Sequence, residues 1–168
     1  MEKIMWLVLG GTAFIAALRA GHSRRARYIG RWALGVLFVV FGAAVNAVYL
    51  AAGAGYYEDF AKPSPFAFVR DTWDSLVLPN QGFFIGLLIT AEAIAGVLIL
   101  MGGPWTQAGL IALIGFHVGQ LFFGGVLWVW APLMLVTLVL LLRAERQASA
   151  DDGRHHSAQS RAHMSGVA

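Results

Sequence analysis

The sequence predicts an all-α polytopic membrane helix bundle with five transmembrane helices, and three observations carry that prediction. The 168-residue chain is 58% hydrophobic and 12% charged. A soluble domain carries about 25% charged residues, so this chain cannot cover a water-facing surface. Apolar runs recur along it, near the roughly 20 residues a helix needs to cross a hydrocarbon core of about 30 Å. The charges gather in short stretches beside those runs, where topology explains the net charge of +3 better than a nucleic-acid partner does. With no cysteines, disulfides, thiol catalysis and cysteine-ligated metals are excluded.

The first run, about 4–20, reads IMWLVLGGTAFIAALRA. Its positive flank follows it instead of preceding it, which favours a signal anchor or first span over a cleaved signal peptide. Residues 21–31, GHSRRARYIGR, hold four arginines and no acid, as a solvated cytoplasmic loop would. The second span is about 32–52. In 53–80 the acids Glu58, Asp59, Asp71 and Asp74 outnumber Lys62 and Arg70, and Pro63 and Pro65 prevent one continuous helix. Tyr56, Tyr57, Phe60, Phe66, Phe68 and Trp73 intersperse those charges, which suits the membrane interface. The second half of this segment predicts a short amphipathic helix ending before Pro79. The third span is about 81–102, followed by a GGPWT turn in which Pro104 suits a helix start. The fourth span is about 105–122, residues 123–125 turn, and the fifth span is about 127–142. Residues 1–147 thus form the bundle. The polar stretch 148–168 predicts a disordered cytoplasmic tail. A solvated tail is the plainer reading of His155, His156 and His163, and no metal site is predicted.

Arginine-rich flanks stay inside, so the N-terminus falls outside, the acidic segment 53–80 outside and the C-terminus in the cytoplasm. If the first run were cleaved, four spans would remain with the other sides unchanged. The Arg-rich, Lys-poor, Ala- and Gly-rich composition points to a GC-rich bacterial genome, and so to the bacterial inner membrane.

Glu92 is the one acid within the third span, about midway along it. A charge at the bilayer centre costs about 2.5–3.5 kcal/mol on insertion scales. Glu92 can hold its proton, or it can face the bundle interior and accept hydrogen bonds. Asn46 in the second span and His117 and Gln120 in the fourth offer partners, and spacing of three places His117 and Gln120 on one helix face. At about 1.5 Å rise per residue, Asn46 and His117 lie within roughly 6 Å of the level of Glu92. The three then meet outward of the midplane, under 53–80 as a lid. Glu92 and His117 are the candidates for proton exchange, Asn46 and Gln120 for ligand binding. The plain alternatives are an Asn46 bonded to a helix carbonyl, a packing histidine and a protonated structural glutamate. Gly82 with Gly86, and Gly115 with Gly119, form GxxxG pairs that permit close helix approach. Trp105, Trp128 and Trp130 fall near span ends, as interface belts do.

Two stretches resemble a known family. RWALGVLFVVFG (Arg31 to Gly42) and AEAIAGVLILMGG (Ala91 to Gly103) are similar to the arginine-led span and the acid- and glycine-bearing span of DoxX-like integral membrane proteins. The resemblance covers 31 to about 143. It implies a four-helix membrane core, to which this chain adds an N-terminal span and a long 53–80 segment. It also implies a link to quinone-coupled or thiol-handling redox complexes, with Glu92 as the residue carried over.

Three functions follow. The first is an accessory or quinone/thiol-interacting subunit of a membrane redox system, with redox-enzyme subunits as partners and quinone as a ligand. No cofactor site lies in the chain itself. The second is a small transporter or binding protein for a lipid-like or weakly acidic compound. The third is a non-catalytic assembly protein. The lipid bilayer is the common partner, with a homo-oligomer as a further expectation.

Overall fold

The computed structural model describes the backbone of residues 2–53 and 55–165, and the side chains of 4–53, 55–151 and 154. The described residues are helical throughout, joined by turns. Helix α1 is Glu2–Arg19. Helix α2 runs Arg24–Ala51. Ser23 caps its start, its hydroxyl accepting from the Ala26 N–H at 3.2 Å. The arginine stretch is therefore the first turns of α2 and not a loop. A helix costs less than a loop at a membrane edge, because it satisfies its own backbone groups.

Within α2, Leu37–Ala44 is a π-helix of widened turns, and Val45–Ala51 returns to α geometry. Residues 67–80 form α3, which is α-helical over Ala67–Thr72, π-helical over Trp73–Val77 and 3-10 over Leu78–Asn80. It carries past Pro79, the expected stop. Helix α4 is Gln81–Met101, α5 is Gly103–Gln120 and α6 is Leu127–Ser165. Helix α6 continues well beyond the expected end of the fifth span. Its described backbone stays helical where the sequence predicts a disordered tail, because i→i+4 bonding needs no apolar face to persist. The side chains of His155, His156 and His163 lie outside the described residues.

Among the described residues, three stretches are long and apolar enough to cross a membrane: Arg24–Ala51, Ala67–Met101 and Leu127–Asp151. Ile4–Arg19 is a shorter apolar helix. These stretches mark the chain as a membrane protein. Val126, Val129, Leu7 and Phe83 stand at least two-thirds exposed, a surface that suits lipid and not water.

Helix α2 packs on α1 and α4, α5 lies between α4 and α6, and α1 closes the bundle against α6. The main core joins Leu34, Leu37 and Phe38 of α2 to Ile99, Leu110, Leu113, Met134, Leu138 and Leu141. Glycines set the closest crossings. A Cβ on Gly109 would stand 2.7 Å from the Ala95 carbonyl, and one on Gly96 would stand 2.7 Å from Val39 Cγ2. The GxxxG pairs behave differently: Gly82, Gly86, Gly115 and Gly119 have nothing within 4 Å of their Cβ positions. Their faces lie open, and the packing expected of them falls to Gly35, Gly42, Gly96 and Gly109. Gly10, mid-helix in α1, packs beneath Trp130, whose ring also meets Trp6 edge-on at 5.4 Å. Trp130 is thus a packing residue, while Trp105 and Trp128 are more than half exposed.

The α4–α5 turn needs positive φ at Gly102 (93°) and Gly103 (58°), which glycine adopts without Cβ strain. A polar knot fixes it. Arg31 donates from Nε to the Ile99 carbonyl at 3.2 Å and from Nη2 to the Leu100 carbonyl at 3.1 Å. Thr106 Oγ1 also donates to Ile99 O, at 2.8 Å. These bonds satisfy carbonyls that the end of α4 leaves without helical partners.

Candidate functional site

Residues 55–80 form a strap over one end of the bundle. Its interior is a second core of Tyr57, Ala61, Val69, Trp73 and Ile85, joined by Phe60 and Phe123. Ser64, itself buried, donates from Oγ to the Phe122 carbonyl at 2.6 Å, and Arg70 donates to Ser64 O. Tyr57 and Trp73 are 3% and 9% exposed, so these two rings serve packing and not a lipid interface. Tyr56, Phe66 and Phe68 keep the exposed positions expected of interface rings.

Beneath the strap lies Glu92, 5% exposed and turned into the bundle. Its carboxyl sits on Gly42 of α2: a Cβ there would fall 3.1 Å from the carboxyl carbon. One turn on, Asn46 Nδ2 donates to Glu92 Oε2 at 3.1 Å. Both contacts arise because α2 and α4 cross at small residues, which brings the polar groups into bonding range.

A third group joins them from the strap. The Tyr57 hydroxyl lies 2.9 Å from Asn46 Oδ1 and 3.2 Å from the Asn46 carbonyl. Trp73 Nε1 donates to the Tyr57 carbonyl at 2.8 Å, which anchors that turn. Burial first, then Tyr56 and the Glu92 carboxylate, push the Tyr57 hydroxyl up to about 12, so it keeps its proton at neutral pH. The sequence singled out Tyr57 only as an interface ring. A tyrosine eleven residues from Asn46 across a turn carries no pattern that would pair the two.

His117 and Gln120 do not enter this cluster. His117 is wholly buried, its Nδ1 2.8 Å from the Leu113 carbonyl one turn earlier. A carbonyl only accepts, so Nδ1 carries the hydrogen. Among the described residues Nε2 has no hydrogen-bond partner, and the ring meets Phe38 at 5.7 Å and Phe116 at 5.3 Å, both edge-on. Gln120 Oε1 is likewise buried without a partner among the described residues. The expected three-way meeting therefore reduces to Glu92 with Asn46, because α5 turns its histidine to its own backbone and to aromatic neighbours. Among the described residues, no group of three His, Cys, Asp or Glu side chains is placed to hold a metal ion.

Chemically, the cluster is one carboxyl, one amide and one phenol, enclosed between two apolar helices and a strap. It can hold a proton at Glu92 and offer or accept a hydrogen bond there. Compared with known proteins, the chain matches no family model, no curated protein and no solved structure.

Proposed function

We propose that the chain is an accessory, quinone- or thiol-interacting subunit of a membrane redox system, with Glu92 as its proton-exchanging group and Asn46 as the partner that holds it. In this reading it crosses the bacterial inner membrane five times, with the N-terminus and the strap outside and the C-terminus in the cytoplasm. The DoxX-like resemblance of residues 31 to about 143 agrees with such a role. His117, with Nε2 unpartnered, is the second proton acceptor, and Gln120 lies beside it for the ligand.

One observation carries the reading: Glu92 is buried in a bundle of membrane-spanning helices, and its bond is to a neutral amide. A carboxyl locked to a cation resists protonation, because losing the charge forfeits the ion pair. Against an amide, the proton can come and go at much lower cost. A second reading rests on the contact with Gly42: the same carboxyl, seated at a tight helix crossing, is a brace that only holds α2 to α4.

Glu92→Gln and Glu92→Ala in the purified protein divide the two. Gln keeps the shape and most of the hydrogen bonding and removes the titrating proton. Under the redox reading, menadione protects the wild type against thermal unfolding and fails to protect Glu92→Gln. If Gln matches the wild type in stability and binding while Ala loses stability alone, the brace is the whole function.

A further inference from the structure

The end of the bundle where α1 stops and α2 begins is strongly basic. Arg19 closes α1, Arg24 and Arg25 open α2, and Arg143 and Arg146 lie on α6. Packing brings them to one end. A Cβ on Gly21, in the turn between α1 and α2, would stand 4.0 Å from Gln147 of α6, and one on Gly30 would stand 3.4 Å from Leu141. All five arginines are exposed. Among the described residues, none of their guanidinium groups makes an ion pair or a hydrogen bond; the ion pairs are Lys62–Asp59 and Arg154–Asp151. Glu145, between Arg143 and Arg146 in sequence, is buried and pairs with none of them. Arg27 and Arg31 differ. They are half-buried and donate to the carbonyls of Ala20, Ile99 and Leu100. Five positive charges therefore face outward with nothing in the described protein to neutralise them.

Two of the five also stand over an apolar strip. With 3.6 residues per turn, Tyr28 and Trp32 fall between Arg24 and Arg25 on one face of α2. Both rings are exposed, with centroids 6.0 Å apart, and exposed Ile29 borders them. Tyr28 lies about 6 Å along the axis from Arg24 and Trp32 about 12 Å. Charge, phenol, indole and aliphatic surface thus follow one another down the helix, as phosphate, ester carbonyls and acyl chain do in a phospholipid. Arg143 and Arg146 have no aromatic residue within two turns on α6. We propose that Arg24, Arg25, Tyr28 and Trp32 form a binding site for an anionic phospholipid. The two guanidinium forks take the phosphate, and the rings take the glycerol region and the upper acyl chain. Charge selects the headgroup: phosphatidylglycerol brings an uncompensated phosphate, whereas phosphatidylcholine brings its own cation. The site requires only that the chain lies in a membrane and is independent of the role of Glu92.

Native mass spectrometry of the full chain in neutral detergent, with equimolar dioleoyl phosphatidylglycerol and dioleoyl phosphatidylcholine, tests this by the ratio of the two lipids retained. Each arginine at a membrane surface contributes about a fivefold preference, so the wild type should favour phosphatidylglycerol about 25-fold. Arg24→Gln with Arg25→Gln should bring the ratio near one. Both side chains are exposed and unbonded, so thermal unfolding without lipid should be unchanged. Tyr28→Leu with Trp32→Leu should lower retention of both lipids and leave their ratio in place. Arg143→Gln with Arg146→Gln removes the same charge from the same end and should leave the ratio within about twofold of the wild type. Equal retention of the two lipids by the wild type overturns the proposal. So does an equal loss in the α6 variant, which would reduce the effect to net charge. Unchanged retention in the Tyr28 and Trp32 variant would place the lipid elsewhere. Displacement of phosphatidylglycerol by inorganic phosphate would show that the arginines take free anions and not a lipid.

Discussion

A carboxylate placed at the bilayer centre costs about 2.5–3.5 kcal/mol, and a hydrogen bond to a charged group returns about 1.5–3 kcal/mol. One bond from Asn46 to Glu92 therefore offsets most of the insertion cost, and burial against Gly42 keeps the acid away from lipid. The corollary concerns the partner. Asn46→Leu leaves a buried carboxyl unsatisfied, and we expect a loss of about 1–3 kcal/mol in unfolding free energy, read by thermal or chemical unfolding in detergent. The double variant Asn46→Leu with Glu92→Leu should recover much of it, since replacing both polar partners by apolar groups is far less costly than removing one. Tyr57 supplies a pH signature. Its folded value stands near 12, above the ordinary tyrosine value of 10.0. Its contribution to stability is thus complete below pH 10 and fades as pH rises through 12. In an alkaline titration followed by tyrosinate absorbance, Tyr57 should ionise late. Tyr57→Phe should remove that late step; its persistence would assign it to another ring.

Among the helices, the decisive feature is which glycines are filled and which are open. Gly109 lies against the Ala95 carbonyl, with 2.7 Å available for a Cβ. Gly109→Ala is expected to force α4 and α5 apart at a cost of about 1–3 kcal/mol. Gly86→Ala and Gly115→Ala meet nothing within 4 Å and should change monomer stability by no more than about 0.5 kcal/mol. A thermal-shift comparison of the three variants checks this. The sequence marks all these glycines alike. GxxxG shows that a face is smooth, but it cannot say which neighbour comes to that face. Arg31 teaches a similar lesson. Its charge beside an apolar run reads as a topology signal, yet its guanidinium bonds two carbonyls at the end of α4, nearly seventy residues away. Arg31→Gln should therefore destabilise the α4–α5 turn as well as remove a charge.

For the whole molecule, the arrangement of charges proposes a definite orientation. The chain has no cysteine, so single cysteines can be introduced without background. His22 and Asp59 are both exposed, one between α1 and α2 and the other in the strap. With a membrane-impermeant thiol reagent on intact cells, Asp59→Cys should label directly and His22→Cys only after permeabilisation. The reverse result would invert the orientation, and labelling of both would remove the single span between them.

Hydrophobic content and run length by themselves determined the solvent of this protein. A chain 58% apolar with few charges must place helices in lipid, since backbone groups there have only one another to bond. Intramembrane position likewise marked Glu92 and Asn46 before any contact was known, because polar groups in oil are costly enough to need a reason. What the tertiary structure decided was partnership. It joined Asn46 to Glu92, kept His117 with its own helix and Phe38, and brought Tyr57 down from a strap that reads from sequence as interface. Hydrophobicity is a property of composition and can be summed along a chain. A hydrogen bond about 3 Å long depends on how helices cross and rotate, and residues far apart in sequence set that jointly.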